Sequence, residues 1–202
     1  MFSKLSKQTA NMLCKEWTND VVHRYIGNFS SSYFAYASDQ IYRNNAASGG
    51  VTTALLAYLL TSEKIDGALV CRSKVMDGNV VPEFIIARDK KTLLSTQGSI
   101  YSAVEFNRDA LPLIRNFKGR IAAVALPCDA QKLSHLRKND KEMAKKIVLI
   151  ISLFCGHNSR PELTRMILKK IDKKGKRITD FRYRKGYWRG HLEATFTSAK
   201  KV

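Results

Sequence analysis

The chain has 202 residues, 45% of them apolar, with 35 Lys and Arg against 17 Asp and Glu for a formal charge of +18. That is enough chain for one domain with a real core, and too mixed a composition for a disordered protein or one that lies mostly in a membrane. A field this basic draws anionic partners, whether nucleic acid, a phosphorylated cofactor or an acidic protein, and does not choose among them.

Residues 1–36 are poor in Gly and Pro and mix Leu, Met, Trp and Tyr with charges, which predicts an N-terminal helical extension. Met1 to Leu5 lacks the apolar core of a signal peptide, and the most continuous apolar run, Ile147 to Phe154, is only strand length. A cytoplasmic protein with no membrane span is therefore expected. Next comes Ser48-Gly49-Gly50-Val51-Thr52, running into Ala54 to Leu60 at helical spacing. Ser48 is placed to cap that helix through its hydroxyl, and the glycines let the backbone approach a ligand closely. The first amides of the helix, lacking intrahelical partners, can face an anion. The same residues also describe an ordinary capped helix after a flexible turn.

Asp66 to Cys71 predicts a buried strand, and Val80 to Ala87 a second one after the Asp77-Gly78-Asn79 turn, with Pro82 putting it at a sheet edge. Asp89 to Leu94 fits a short helix and Glu105 to Asn116 a longer one. Arg120 to Leu126 and Lys146 to Phe154 are unbroken apolar strands, the pattern of strands covered on both faces. Pro161 to Ile171 is a further helix, and Arg177 to Thr197 has strands and turns with no helical period. The expected fold is α/β, a mixed or mainly parallel sheet flanked by helices with a short β-rich basic tail. The expected organisation is the helical extension over 1–36, an α/β core over 37–176 and the start of a C-terminal segment over 177–202.

Two strands deliver Pro127-Cys128 and Cys155-Gly156-His157 at their carboxyl ends, where open α/β sheets usually bind ligands. The four cysteines, Cys14, Cys71, Cys128 and Cys155, are too widely spaced for a secreted disulfide framework. Cys14 and Cys71 read as small buried hydrophobes. Cys128, His135, Cys155 and His157 are zinc-ligand types without finger-like spacing. Cys128, placed before a helix, could also act as a nucleophile, but no base partner is identifiable. Phe181-Arg182-Tyr183-Arg184-Lys185-Gly186-Tyr187-Trp188-Arg189 interleaves aromatics with cations, as single-stranded nucleic-acid binders do. No reader motif accompanies it, so nucleic acid is the weaker alternative.

Six segments in order give the chain its resemblance. They are Ala47 to Thr52; Ile65-Asp66-Gly67; Gln97-Gly98-Ser99-Ile100-Tyr101; Ala125 to Cys128; Leu153 to His157; and Phe181 to Arg184 ahead of Trp188-Arg189-Gly190. In this order the chain resembles the beta subunits of coenzyme F-420 hydrogenases and dehydrogenases. The resemblance implies a flavoprotein electron-transfer module that holds FAD near an iron–sulfur cluster. It exchanges hydride with F-420 or a related acceptor, beside other oxidoreductase subunits or an iron–sulfur protein. Carried onto this sequence, it implies that Ser48, Gly49, Gly50, Val51, Thr52, Gly98, Ser99, Tyr101, Pro127 and His157 contact the anionic cofactor. Cys128 and Cys155 look like cluster ligands, with a further cysteine pair expected downstream. No such pair precedes Val202, as expected of a shortened member, and the cluster is then incomplete in this chain. Ile100 stands where the family usually has a lysine, and Arg43 or Arg72 is the candidate for supplying the missing charge. Asp129 follows Cys128 where the family usually has glutamine, and is placed to cap the helix beginning there. A non-catalytic scaffold of the same family is the other reading of these departures.

Overall fold

A computed structural model describes Arg24 and residues 27–171, 177–186 and 190–197. Most of the expected N-terminal extension, together with Cys14, Tyr187, Trp188 and Arg189, lies outside the described residues. Asn28 to Tyr36 carries no helix.

After a single 3-10 turn at Gln40–Tyr42 the chain forms helix α1 (Val51–Thr61) and then strand β1 (Gly67–Met76). A tight turn with Asp77 and Gly78 both at positive φ returns it as β2 (Asn79–Ala87). Helix α2 (Lys90–Ser95) follows, capped by Asp89, whose carboxylate accepts from the Thr92 amide. The run expected to be one helix over Glu105–Asn116 divides into a π-helical turn at Phe106–Ala110 and helix α3 (Leu111–Asn116). Pro112 explains the division, because it has no N–H to give back to the preceding turn, and the Leu111 amide instead reaches the Phe106 carbonyl. Strand β3 (Ile121–Ala125), helix α4 (Pro127–Asn139), helix α5 (Lys141–Lys146) and strand β4 (Ile147–Ser152) complete the main sheet. Helix α6 (Pro161–Ile171) and the hairpin β5 (Ile178–Lys185) and β6 (His191–Phe196) come last.

The main sheet has the order β2-β1-β3-β4. β1 pairs antiparallel with β2, and β3 runs parallel to both β1 and β4. The sheet is mixed and mostly parallel, as the apolar runs predict, and Pro82 sits on the edge strand opposite Ser73, where its missing N–H breaks no inner ladder. Side chains alternate between two cores. Leu69, Ile121, Ala123 and Ala125 join Phe106, Ile114, Leu133 and Ile147 on one face. Ala68, Val70 and Ala122 join Leu56, Ala57, Ile65 and Leu93 on the other. Both faces of β1 and β3 are thus covered, which is why neither strand shows a polar alternation.

β1 keeps only three rungs with β3, at Gly67, Ala68 and Leu69. Beyond these it runs on with β2, and Val75 and Val80 pack with Phe181, Ile178 and Leu168 in a third core. The hairpin β5–β6 is thereby docked beside β1. The start of the sheet is tied by Asp66, whose carboxylate accepts from the Arg120 amide at 2.6 Å and from its guanidinium at 3.2 Å. The Asp66 and Gly67 amides in turn donate to the Arg120 carbonyl. The side-chain and backbone hydrogen bonds from Arg120 hold the Asp66 carboxyl below its ordinary value of 3.8. The Ile65-Asp66-Gly67 segment of the resemblance is thus a structural joint between β1 and β3. A side chain at Gly67 would collide with Ile86 and Phe117.

Candidate functional site

The Ser48–Thr52 turn is built on backbone alone. Gly50 is the N-cap of α1 with φ of 71°, and no side chain caps the helix. Ser48 therefore does not cap it, contrary to expectation, because the left-handed residue at position 50 sets the entry of the chain and Ser48 is exposed two residues earlier. The glycines make close approaches to the protein itself. A Cβ on Gly50 would fall 2.2 Å from the Tyr42 carbonyl oxygen, and the Gly49 carbonyl accepts from the Ala37 amide at 2.7 Å. Val51 and Thr52 follow, half-buried, in the first turn, where helix geometry gives their amides no intrahelical acceptor.

A second segment joins this turn through the same carbonyl. Gln97 is buried, and its side-chain amide donates to the Tyr42 and Ile41 carbonyl oxygens at 2.9 and 3.3 Å. Arg182 Nη1 on β5 donates to the Gln97 carbonyl at 2.9 Å. Residues 41–50, 97–99 and 182, far apart in sequence, are brought together. Sequence reasoning quoted Gln97 and Arg182 within motifs but did not single them out. No sequence signal marks the first, because the burial of a glutamine just past a helix end is decided by tertiary packing.

Between the Gln97–Ile100 turn and β5 lies a narrow polar cleft of about 90 Å³, lined among others by Arg72, Ser73, Ser99, Ile100, Asp180 and Arg182. Its lining offers hydroxyl and guanidinium donors to an anion. Ile100 brings no charge to it. Of the two cations weighed as replacements, Arg72 lines the cleft, whereas Arg43 is turned to the Gln40 side chain and lies over the Tyr36 ring. Arg72 also pairs with Glu83 on β2 at 2.8 Å, and Lys74 holds the other oxygen of the same carboxylate. Burial works to raise the Glu83 carboxyl, but hydrogen bonds and charge from Lys74 and Arg72 outweigh it and hold the group below its usual range.

Tyr101 stands at the rim, 41% exposed, its ring edge-on to Tyr183 with centroids 5.9 Å apart. Tyr183 in turn meets Phe181 and shares a hydrogen bond with Thr164. Phe181 is buried. Two of the aromatics that suggested base stacking are therefore committed to packing.

The thiols occupy the carboxyl ends of adjacent parallel strands, as expected. Pro127 and Cys128 are the first two residues of α4 directly after β3, and both are exposed. Cys155 and His157 are exposed beyond β4, whose pairing with β3 extends to the Leu153 amide on the Ala125 carbonyl. Asp129 does not cap α4, because the helix already starts at Pro127 with Leu126 as N-cap. It lies buried in the first turn and pairs with Lys132 at 3.1 Å, where its charge complements the helix dipole. Among the described residues no three His, Cys, Asp or Glu side chains gather in a metal-binding group, so the zinc reading of Cys128, His135, Cys155 and His157 is not supported. Cys71 lies on β1, and burial pushes its thiol up to about 12, which fits the expected small hydrophobe.

Residues 32–108 match the family model for the N-terminal part of the coenzyme F420 hydrogenase/dehydrogenase beta subunit, and residues 118–201 match the model for its C-terminal part. The chain belongs to the coenzyme F420 hydrogenase/dehydrogenase beta subunit family. Among relatives of this family, it is similar to the F420-dependent formate dehydrogenase 1 subunit beta of Methanococcus maripaludis. Identity is 29% over 145 residues, which is 68% of this chain and 34% of that one. It is also similar to the coenzyme F420-dependent sulfite reductase of Methanocaldococcus jannaschii, at 31% over 173 residues, 78% of this chain and 26% of the relative. The chain thus spans about a third or less of the length of these relatives. The fold matches a chain in the F420-reducing NiFe hydrogenase complex from Methanosarcina barkeri. The TM-score is 0.61 and identity 20%, covering 80% of this chain and 58% of that one. No helix among the described residues is long and apolar enough to cross a membrane.

Proposed function

We propose that this member of the family is a flavin-dependent oxidoreductase module that passes hydride or electrons between a reduced donor and F420 or a related acceptor. The observation that supports this reading most is the convergence of the uncapped N-terminus of α1, the Gln97–Ser99 turn and the arginines of the cleft. Backbone amides at a helix start and guanidinium groups are the donors that recognise a diphosphate. A bound FAD would supply the redox chemistry.

The chain's own contribution is binding and orientation. Val51 and Thr52 would face the diphosphate with their amides, and Gly98, Ser99 and Arg182 would close on it from the second turn. Tyr101, held edge-on by Tyr183, offers a rim surface for a ring. Pro127 and His157, which follow the carboxyl ends of the parallel strands β3 and β4, are the further proposed contacts. Cys128 and Cys155 would provide two of the four thiolates that an iron–sulfur cluster takes. The described residues bring no further ligand to them, and no electron path is assigned through such a cluster. Other oxidoreductase subunits are the proposed partners, since relatives carry subunit names of multi-subunit enzymes.

The test is the absorbance spectrum of the purified chain before and after incubation with FAD and removal of the excess. Flavin bands at about 375 and 450 nm that survive gel filtration are the expected result. A colourless protein that ignores added FAD overturns the flavin reading and leaves a scaffold of this family.

A further inference from the structure

Two arginine–carboxylate pairs belong to the cleft beside Ile100, and they differ. Arg182 donates Nε to Asp180 at 3.3 Å and Nη1 to the Gln97 carbonyl, and its Nη2 has no hydrogen-bond partner among the described residues. Arg72 donates Nε to one oxygen of Glu83 at 2.8 Å, and its Nη2 lies 2.8 Å from the same oxygen as an ion pair. The other Glu83 oxygen belongs to Lys74, two residues along the same face of β1, and Arg72 and Glu83 face each other across the β1–β2 ladder. Glu83 is therefore held twice, and it keeps a cation if Arg72 leaves. Such half-exposed pairs are weak, with side chains 36% and 24% accessible for Arg72 and Glu83. The hydroxyls of Ser73 and Ser99, which line the same cleft, make no hydrogen bond among the described residues. A cleft with waiting donors, a polar lining and one cation tethered to a doubly held carboxylate has the parts of an ion-exchange site.

We propose that Arg72 is an exchangeable cation: it hands Glu83 to Lys74 and, with Arg182, grips a phosphate or diphosphate group in the cleft, taking the place of the charge that Ile100 lacks. A dianion outcompetes a monoanionic carboxylate for a guanidinium, whose planar fork matches two phosphate oxygens. Lys74 is then a positioning residue that never touches the ligand, and Glu83 is the competitor that sets the affinity. The proposal shares its site with the flavin reading, and rests on it only for the identity of the larger molecule that carries the phosphates.

The experiment is calorimetric titration of the full chain with inorganic pyrophosphate at fixed ionic strength, with FAD retention measured in parallel on every variant. Arg72→Met and Arg182→Met should each weaken pyrophosphate by about tenfold. Glu83→Gln should tighten it several-fold by releasing Arg72, and Lys74→Met should weaken it several-fold by leaving Glu83 to Arg72 alone. Lys138→Met, exposed on α4, reports the diffuse basic field and should weaken binding far less than Arg72→Met. Thermal melting of each variant identifies any that fails to fold. In a Glu83→Gln background Lys74→Met should no longer weaken binding, a coupling that neither a merely structural ion pair nor a summed charge effect would produce. Unchanged or weaker binding in Glu83→Gln, or equal losses in Arg72→Met and Lys138→Met, overturns the proposal. FAD retained by all variants while pyrophosphate ignores Arg72 would sink the exchange and spare the flavin reading. Pyrophosphate binding that follows Arg72 and Glu83 in a chain that takes no FAD would do the reverse.

Discussion

Gly50 carries two demands at once, a left-handed backbone and the absence of a Cβ 2.2 Å from the Tyr42 carbonyl. Gly50→Ala should cost about 3 kcal/mol in chemical denaturation, the strain of a left-handed alanine plus the displacement of the Gln40–Tyr42 turn. A cost below about 1 kcal/mol would mean that the turn yields easily. Asp66 makes a different kind of contribution, because its value in the folded chain is lowered. The stability it adds is full above its ordinary 3.8 and is lost as the pH falls through the lowered folded value. Asp66→Asn should therefore destabilise the protein by about 1 kcal/mol at neutral pH, after allowance for solvent exposure, and the gap to the parent should close in acid. A gap that persists unchanged below pH 3 would assign the effect to something other than charge.

At the scale of elements, the β5–β6 hairpin depends on Phe181, which is buried between β5 and the far end of β1 and β2. Phe181→Ala should cost about 3–4 kcal/mol and raise hydrogen exchange in the hairpin before it does so in the main sheet. Equal exchange in both would show that they open as one unit. The main sheet was legible in the sequence because apolar runs such as Ile121–Ala125 and Ile147–Ser152 carry their own signal, and so was α6, announced by Pro161. The π turn before Pro112 was less so, since periodicity places apolar residues in a helix without showing where one proline widens a turn. Helix α5 went unseen because Asp140 both ends α4 and caps α5, and six residues are too few to show a period. The site divided likewise. The Ser-Gly-Gly turn announced a helix start, but Ser48 misled because the left-handed φ at Gly50, a backbone property, decided the cap. The pairing of Arg72 with Glu83 is visible only in the β1–β2 register, which sequence patterns do not contain.

For the molecule as a whole, the charge of +18 acts on every anion and on the fold itself. Raising salt from about 0.01 M to about 1 M shortens the screening length from about 30 to about 3 Å. Affinity for pyrophosphate should fall while the melting temperature rises, because self-repulsion is relieved as attraction is screened. A melting temperature that falls with salt would place the stability in ion pairs such as Asp66–Arg120. The two family models meet between residues 108 and 118, yet the sheet does not respect that seam. β1 and β2 lie before it and β3 and β4 after it, and a single core joins Leu69 and Phe106 to Ile121 and Ile147. A chain cut in the loop at Lys118 would leave each half with an open sheet edge and an unpaired apolar face. Produced apart, the two halves should aggregate; produced together, they should find one another and reassemble, each serving as the other's chaperone.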